Sequence, residues 1–231
     1  MRLKIIHLLS CPEQERERIS VMSIKTFARE AGIDYIQVIN EPYRWPLPPA
    51  EESLRPDELY VDDPVVMQSS LGKYGCYRAH KDALLEHMNA DVDGILLFEC
   101  DAYIYYEFKT FLAAVNTAIT CSFKLNLDMF TLGMVFMLKG AEVRRLSNLY
   151  LTDYIRQTHA VFIPSTAFDK IRSVFESGRW DTIDFFYSHH LDSFGGFTKS
   201  LCFQVQGDSL LDGVESERKR RTRLKITLEG S

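Results

Sequence analysis

The chain has 231 residues, of which 46% are hydrophobic and 26% charged, and its formal net charge is −5. This length is sufficient for a single domain with a substantial core. The acidic balance excludes a surface built as a whole for nucleic acid, because phosphate binding needs concentrated lysine and arginine, and no apolar stretch is long enough to predict a membrane-spanning helix.

The first part of the chain is typical of an α/β sheet. The apolar run at 3–9 predicts a strand buried on both faces, residues 10–32 predict a helix, and residues 34–40 predict a second strand. Ser10 with Glu13 fits a capping box at the start of the helix. A strand, a helix and a strand with short connections indicate parallel pairing through a right-handed crossover.

Residues 41–64 hold six of the eight prolines and predict an irregular loop. Loops of this length are uncommon in compact domains unless they bind a ligand or move. We interpret the segment as an inserted loop that forms a lid or lies on the substrate side of the domain. The alternative is an ordinary surface loop.

The rest of the chain alternates between helical and strand-like patterns. Short apolar runs bounded by turn residues predict strands, and apolar residues at helical spacing predict helices. The predicted helices cover residues 72–88, 106–119 and 165–177, and the predicted strands cover residues 93–99, 128–138 and 159–164.

The strand at 93–99 ends in two acids, Glu99 and Asp101, which are separated by Cys100. In open α/β sheets, ligands bind beyond the carboxyl ends of the strands. Side chains two residues apart in extended backbone point the same way, so both carboxylates can face one ligand. Mg²⁺ and Mn²⁺ prefer such hard oxygen ligands together with substrate phosphates. The pattern therefore predicts a metal-bound diphosphate here, with ordinary strand-end surface acids as the alternative.

Five motifs follow one another between residues 72 and 214, and in this order they resemble glycosyltransferase family 25, the lipopolysaccharide and collagen galactosyltransferase type. The resemblance implies a GT-A-like α/β domain over residues 1–214, with a mixed, mostly parallel sheet flanked by helices and a Rossmann-like nucleotide-binding half. It also implies a nucleotide-sugar donor, UDP-galactose above all, a Mn²⁺ or Mg²⁺ cofactor and a glycan acceptor. The motifs are GCYRAHKDALL (75–85), ILLFECDA (95–102), QTHAVFIPSTAFDKI (157–171), DTIDFF (181–186) and QGDSLLDGV (206–214).

The resemblance also implies roles for individual residues on the donor side. Asp101 and Glu99 would hold the metal ion and the donor diphosphate. His80 would face the nucleotide, with a histidine satisfied within the core as the alternative. Gln206 and Ser209 would lie near the donor, with a polar turn as the alternative.

On the acceptor side, inverting transfer needs a carboxylate that takes the proton of the acceptor hydroxyl. The resemblance implies Asp184 as this general base, with Asp181 and Asp192 as rivals. His159 is interpreted as a structural or acceptor-side residue and not as a catalytic one.

Three positions depart from the family pattern, namely Ala79, Cys100 and Val161. The first two replace a serine and an aspartate. They motivate a second hypothesis, a catalytically silent nucleotide- or glycan-binding relative. A third hypothesis is another metal-dependent nucleotidyl or phosphoryl transferase, because strand-end acids serve those reactions too.

The five cysteines bear on disulfide and metal sites, and the basic C-terminal run bears on binding partners. The cysteines are widely spread and never spaced as C-x-x-C, which predicts neither a disulfide framework nor a thiolate zinc site. We expect a cytoplasmic protein. Residues 215–231 are predicted to be a basic tail in which 217–225 carry six basic residues against one acid. Such a run is usually a solvated tail, and the alternative is contact with the anionic headgroups of a membrane surface, a polyanion or a nucleotide.

Overall fold

The structure is a computed structural model, and it describes residues 1–40, 46–60, 62, 64–133, 143–155 and 157–205. The strands formed by these residues are β1 (Leu3–Leu9), β2 (Asp34–Ile39), β3 (Gly94–Phe98), β4 (Ala102–Ile104), β5 (Met129–Thr131), β6 (Val143–Leu146), β7 (Leu149–Thr152), β8 (Ala160–Pro164), β9 (Phe194–Phe197) and β10 (Cys202–Gln204). The α-helices are α1 (Glu15–Ala31), α2 (Pro56–Leu59), α3 (Pro64–His87), α4 (Phe108–Leu125), α5 (Phe168–Glu176) and α6 (Ile183–His190).

The main sheet is mixed, and its strand order is β2-β1-β3-β8-β5-β9-β7-β6. β1 pairs in parallel with both β2 and β3, and β5 pairs in parallel with β9. β8 lies antiparallel between β3 and β5, and β7 lies antiparallel between β9 and β6. β4 and β10 form a separate antiparallel pair. The predicted α/β fold with a mixed sheet flanked by helices is confirmed. Its longest parallel run is β2-β1-β3, and four of the seven strand pairs that the described residues form in this sheet are antiparallel.

The core lies on both faces of this sheet, as the continuous apolar pattern of β3 predicts. Ile95 and Leu97 pack into a cluster that includes residues of α3, α5 and α6. Leu96 and Phe98 point to the opposite face and pack with residues of α1 and α4. Successive residues of a strand alternate between faces, so a strand that is apolar throughout needs helices on both sides. Among the described helices, none is both long enough and apolar enough to cross a bilayer.

The predicted capping box is wrong, because the turn into α1 is closed by a different acid. α1 begins at Glu15 and has no side-chain cap at its first residue. Instead the buried carboxylate of Glu17 accepts hydrogen bonds from the hydroxyl of Ser10 at 2.7 Å and from the backbone N–H of Cys11 at 3.0 Å. A carboxylate in the first helical turn also interacts favourably with the helix dipole.

Much of the proline-rich segment is folded and is not the irregular loop predicted. Its described part contains a 3₁₀ turn at Ala50–Glu52 and the helix α2. The backbone of Leu54 donates to the carbonyl of Trp180 at 2.9 Å, and Trp180 donates back to Glu52 at 2.8 Å. These contacts attach the segment to the chain that leads into α6.

The helix predicted at residues 72–88 starts earlier, at Pro64. Proline suits the first turn of a helix, because the N–H that it lacks has no helical partner there. Gly72 and Gly75 therefore lie inside α3 and do not precede it. The longer helix carries the GCYRAH motif across the face of the sheet toward the end of β3.

The buried side chain of His7 in β1 makes the free energy of unfolding depend on pH. His7 is fully buried, and its two ring nitrogens lie 2.9 Å from the hydroxyls of Tyr35 and Ser20. Ser20 also donates to the carbonyl of Ala102, so His7 Nε2–H donates to Ser20 and Nδ1 accepts from Tyr35. Burial lowers the pKa of His7 from 6.5 to about 4, so the native state holds this ring neutral.

As the pH falls, His7 binds a proton in the unfolded chain before it does so in the native state. The free energy of unfolding therefore decreases as the pH falls from 6.5 toward about 4. Between about pH 7.5 and about pH 4.5 the His7 contribution to this loss is about 2 to 3 kcal/mol. Urea unfolding at both pH values measures it. We expect His7→Gln to show a correspondingly smaller loss on acidification, and an identical loss in both proteins contradicts the assignment.

Candidate active site

The candidate site lies just beyond the carboxyl end of β3. Glu99 follows this strand directly, and its backbone N–H donates to the carbonyl of His159 at 2.9 Å. The N–H of Ala102 then donates to the carbonyl of Glu99 at 3.0 Å, which closes a turn from β3 into β4. The two acids predicted from the sequence therefore sit in a turn held between β3 and the chain before β8, at the sheet edge where ligands of α/β folds bind.

The carboxylate of Glu99 is held by two side chains from distant segments. Its Oε1 atom lies 3.2 Å from Nε2 of His80 and 2.8 Å from the hydroxyl of Thr158. His80 belongs to α3 and is fully buried, and its Nδ1 atom lies 3.1 Å from the hydroxyl of Tyr187 in α6. Burial raises the pKa of Glu99, but the hydrogen bond from His80 and that from Thr158 outweigh it and lower the pKa below its usual value.

Asp184 joins the same hydrogen-bonded chain through Thr158. The Thr158 hydroxyl lies 2.8 Å from Oδ1 of Asp184, and the backbone N–H of Gln157 donates to Oδ2 at 3.0 Å. Burial and the charge of Glu99 raise the pKa of Asp184. A hydroxyl has one hydrogen, so Thr158 donates to one of the two carboxylates and accepts from the other when that group is protonated. We call His80, Glu99, Thr158 and Asp184 the β3 cluster.

Asp101 lies beside this cluster with one oxygen unused. Its Oδ1 atom is buried and has no hydrogen-bond partner in the described part of the chain. Burial and the charge of Glu99 raise the pKa of Asp101 to about 6, while His159 and Arg16 act in the opposite direction. A buried carboxylate oxygen without a partner is costly, and a bound cation removes that cost.

His159 is buried next to the β4–β10 pair, where its Nε2 atom lies 3.1 Å from the carbonyl of Cys202. A carbonyl only accepts, so Nε2 carries the hydrogen. The ring packs on Gly133, at which an added Cβ would lie 2.3 Å from Nε2. This explains the glycine that interrupts the apolar run after β5.

Of the three aspartates considered as general base, only Asp184 belongs to the β3 cluster. Asp181 is fully buried and is bound by Arg55 through two nitrogens, at 2.7 and 2.6 Å. Asp192 lies near the surface, where its carboxylate accepts from Lys170 at 2.8 Å. Both rivals are therefore engaged in ion pairs away from the cluster.

Three further residues lie at the site and were not predicted from the sequence, namely Cys76, Thr158 and Tyr187. Cys76 lies one turn before His80 on α3, and this spacing of four residues was the available signal. Its sulfur lies within 4.8 Å of a ring nitrogen of His80 and a carboxylate oxygen of Glu99. Thr158 stands within a quoted motif, whereas nothing local marks Tyr187. Gln206, Ser209 and the basic tail lie outside the described residues.

Comparisons with known proteins do not assign a family to the chain. No family model matches it, and no curated protein matches it. Similar solved structures include A197 from STIV, at 13% identity over 91% of this chain and 87% of that chain, with a TM-score of 0.44. A glycosyltransferase involved in the glycosylation of the major capsid of PBCV-1 has 10% identity over 76% of this chain and 66% of that chain, with a TM-score of 0.39.

A third similar structure is HddC from Yersinia pseudotuberculosis, at 10% identity over 98% of this chain and 100% of that chain, with a TM-score of 0.42. At these identities and TM-scores the assignment of a function depends on the geometry of the site itself.

Proposed function

We propose that this protein is a metal-dependent glycosyltransferase that moves a sugar, galactose from UDP-galactose in the first instance, to a hydroxyl of a glycan or glycoconjugate with inversion. The observation that carries the proposal is the convergence of four separate segments at the end of β3. One hydrogen-bonded chain joins His80, Glu99, Thr158 and Asp184 from these segments. Beside it lies Asp101, whose Oδ1 atom has no hydrogen-bond partner among the described residues. The order of the sequence motifs supports the same class of enzyme.

Asp101, with Glu99 behind it, would hold Mn²⁺ or Mg²⁺. The fit is chemical, because a buried oxygen without a partner and two acids close together favour a hard divalent cation. When bound, such a cation stabilises the negative charge of a leaving nucleoside diphosphate. His80 and Thr158 would keep Glu99 ionised and oriented toward this site.

Asp184 would act as the general base. Burial and Glu99 raise its pKa, and a carboxylate of higher pKa takes a proton from an acceptor hydroxyl more readily. In the transfer, the bond between the sugar carbon and the diphosphate oxygen breaks. The acceptor oxygen bonds to the opposite face of that carbon, and its proton passes to Asp184. The hydrogen bond from Gln157 would keep the carboxylate in place.

Calorimetric titration with UDP tests the donor side of this proposal. We expect wild-type protein to bind UDP in the presence of Mn²⁺ and to lose this binding in EDTA, because the two phosphates would contact the protein through the cation. Absence of binding under both conditions, or binding that EDTA leaves unchanged, contradicts the proposal and favours a catalytically silent relative.

Product analysis separates sugar transfer from nucleotidyl transfer. Sugar nucleotides incubated with Mn²⁺ and a glycan acceptor should release UDP and leave the sugar on the acceptor. Release of pyrophosphate from nucleoside triphosphates and a sugar phosphate would instead identify a nucleotidyltransferase.

A further inference from the structure

Behind the proposed donor site, three different metal-binding side chains meet in one place. The sulfur of Cys76, a ring nitrogen of His80 and a carboxylate oxygen of Glu99 all lie within 4.8 Å of one another. Within the described ranges no other set of three His, Cys, Asp or Glu residues meets this condition. Two of the three ligands stand on α3, and the third lies in the hydrogen-bonded turn that directly follows β3.

We propose that Cys76, His80 and Glu99 form a second metal site that binds a Zn²⁺-class cation and shares Glu99 with the hard-cation site proposed at Asp101. Thiolate, imidazole and carboxylate are the ligands that zinc takes in proteins, whereas Mg²⁺ does not favour a thiolate. Cys76 and His80 are four residues apart on α3 and so share one face of the helix. The proposal does not depend on the sugar-transfer function.

The distances suit such an ion with little movement. Bonds of about 2.0 to 2.3 Å in a tetrahedral site place neighbouring ligand atoms about 3.5 Å apart. Atoms that already lie within 4.8 Å of one another reach this spacing through small side-chain rotations. Three protein ligands leave the fourth coordination position open, as in zinc sites that bind water or a substrate.

The contacts that orient metal ligands are already formed. Ligating histidines are usually held through their other ring nitrogen, and ligating carboxylates are themselves hydrogen-bonded. Here the hydroxyl of Tyr187 lies 3.1 Å from Nδ1 of His80, and the hydroxyl of Thr158 lies 2.8 Å from Oε1 of Glu99. Because the Tyr187 hydroxyl both donates and accepts, it accepts Nδ1–H once Nε2 binds the ion.

The surrounding charges favour a cation as well. Burial, and after it the charges of Glu99, Asp184 and Asp101, raise the pKa of the Cys76 thiol, so the thiolate needs a neighbouring cation. A divalent ion offsets this negative charge. On binding, the S–H bond of Cys76 breaks, the sulfur bonds to the metal and the proton leaves to solvent. Glu99 binds as the carboxylate and His80 through the lone pair of a ring nitrogen, so each ion releases at least the proton of the thiol.

Cobalt substitution tests the site without any sugar donor. Protein treated with EDTA and titrated with Co²⁺ should develop the thiolate-to-cobalt charge-transfer absorption at about one ion per chain, and added Zn²⁺ should displace it. Titrations of Zn²⁺ in two buffers of different ionisation enthalpy should report at least one proton released per ion, that of the Cys76 thiol. Cys76→Ser should lose the absorption. Cys100→Ser is the matched control, because this thiol lies beside the same acids, and it should keep the absorption.

Thiol alkylation of the wild-type protein gives a second measurement that needs no variant. Zn²⁺ should protect Cys76 from alkylation and leave the labelling of Cys11 unchanged, as read by peptide mass spectrometry. Folded wild-type protein that shows neither the absorption nor the protection overturns the proposal. So does equal loss of absorption in both serine variants. Both measurements are made without a nucleotide, whereas Mn²⁺-dependent UDP binding and sugar transfer test the proposed function, so failure of this site and failure of the proposed function are distinguishable.

Discussion

Asp101→Asn is expected to lower sugar-transfer turnover by about 10²-fold or more, since electrostatic stabilisation of a leaving group is worth at least that much in comparable active sites. Metal-dependent UDP binding should be lost with it. Asparagine keeps the shape of the side chain and removes its charge, and Oδ1 of Asp101 makes no hydrogen bond to the described residues that the change would break. Turnover with UDP-galactose, UDP calorimetry and thermal unfolding together measure the effect, and the midpoint of unfolding should not fall.

Two further variants locate the effect. Asp184→Asn should retain UDP binding and lose turnover, because the proposed base acts on the acceptor and not on the donor. Asp82→Asn removes a half-exposed carboxylate that pairs with Arg78 on the surface of α3, and it should change neither quantity. Near-normal turnover in Asp101→Asn, with folding intact, would remove Asp101 from the mechanism.

Arg55→Met is expected to lower the free energy of unfolding by about 3 to 5 kcal/mol, the range found when one partner of a buried ion pair is removed. Arg55 binds both oxygens of Asp181, whose side chain is 0% exposed, and its guanidinium lies 3.8 Å from the centre of the Phe185 ring. Methionine retains much of the apolar stem but leaves the Asp181 charge buried without its cation. Urea unfolding at neutral pH measures the loss.

Arg78→Met is the matched control for this prediction. Arg78 and Asp82 form an exposed pair at 3.2 Å, with side chains 48% and 53% accessible, and such pairs contribute about 1 kcal/mol or less. The double variant Arg55→Met with Asp181→Asn should recover part of the loss, because no unpaired charge remains in it. If Arg55→Met lowers the free energy of unfolding by less than about 1 kcal/mol, water stabilises the Asp181 charge without Arg55, and the prediction is wrong.

The local pattern of the chain determined several features without the structure. Continuous apolar runs predicted β1, β3 and β8, because a strand covered on both faces has no polar side. The acids after β3 were predicted to lie at the carboxyl end of that strand, and Glu99 lies there, while ligand binding at this edge stays a prediction. Whether a segment forms a helix or a strand depends largely on residues within a few positions of one another. The spacing of apolar residues along the sequence therefore predicts it.

The tertiary structure alone decided which side chains meet at that edge. His80 and Tyr187 are 107 positions apart, and Arg55 and Asp181 are 126 positions apart. No local pattern encodes such pairs, because the packing of α3 against α6 creates the first, and the attachment of the proline-rich segment to the chain before α6 creates the second. The same packing separated Asp184 from its rivals and placed Cys76, which the cysteine spacing had not marked, beside a histidine and a carboxylate.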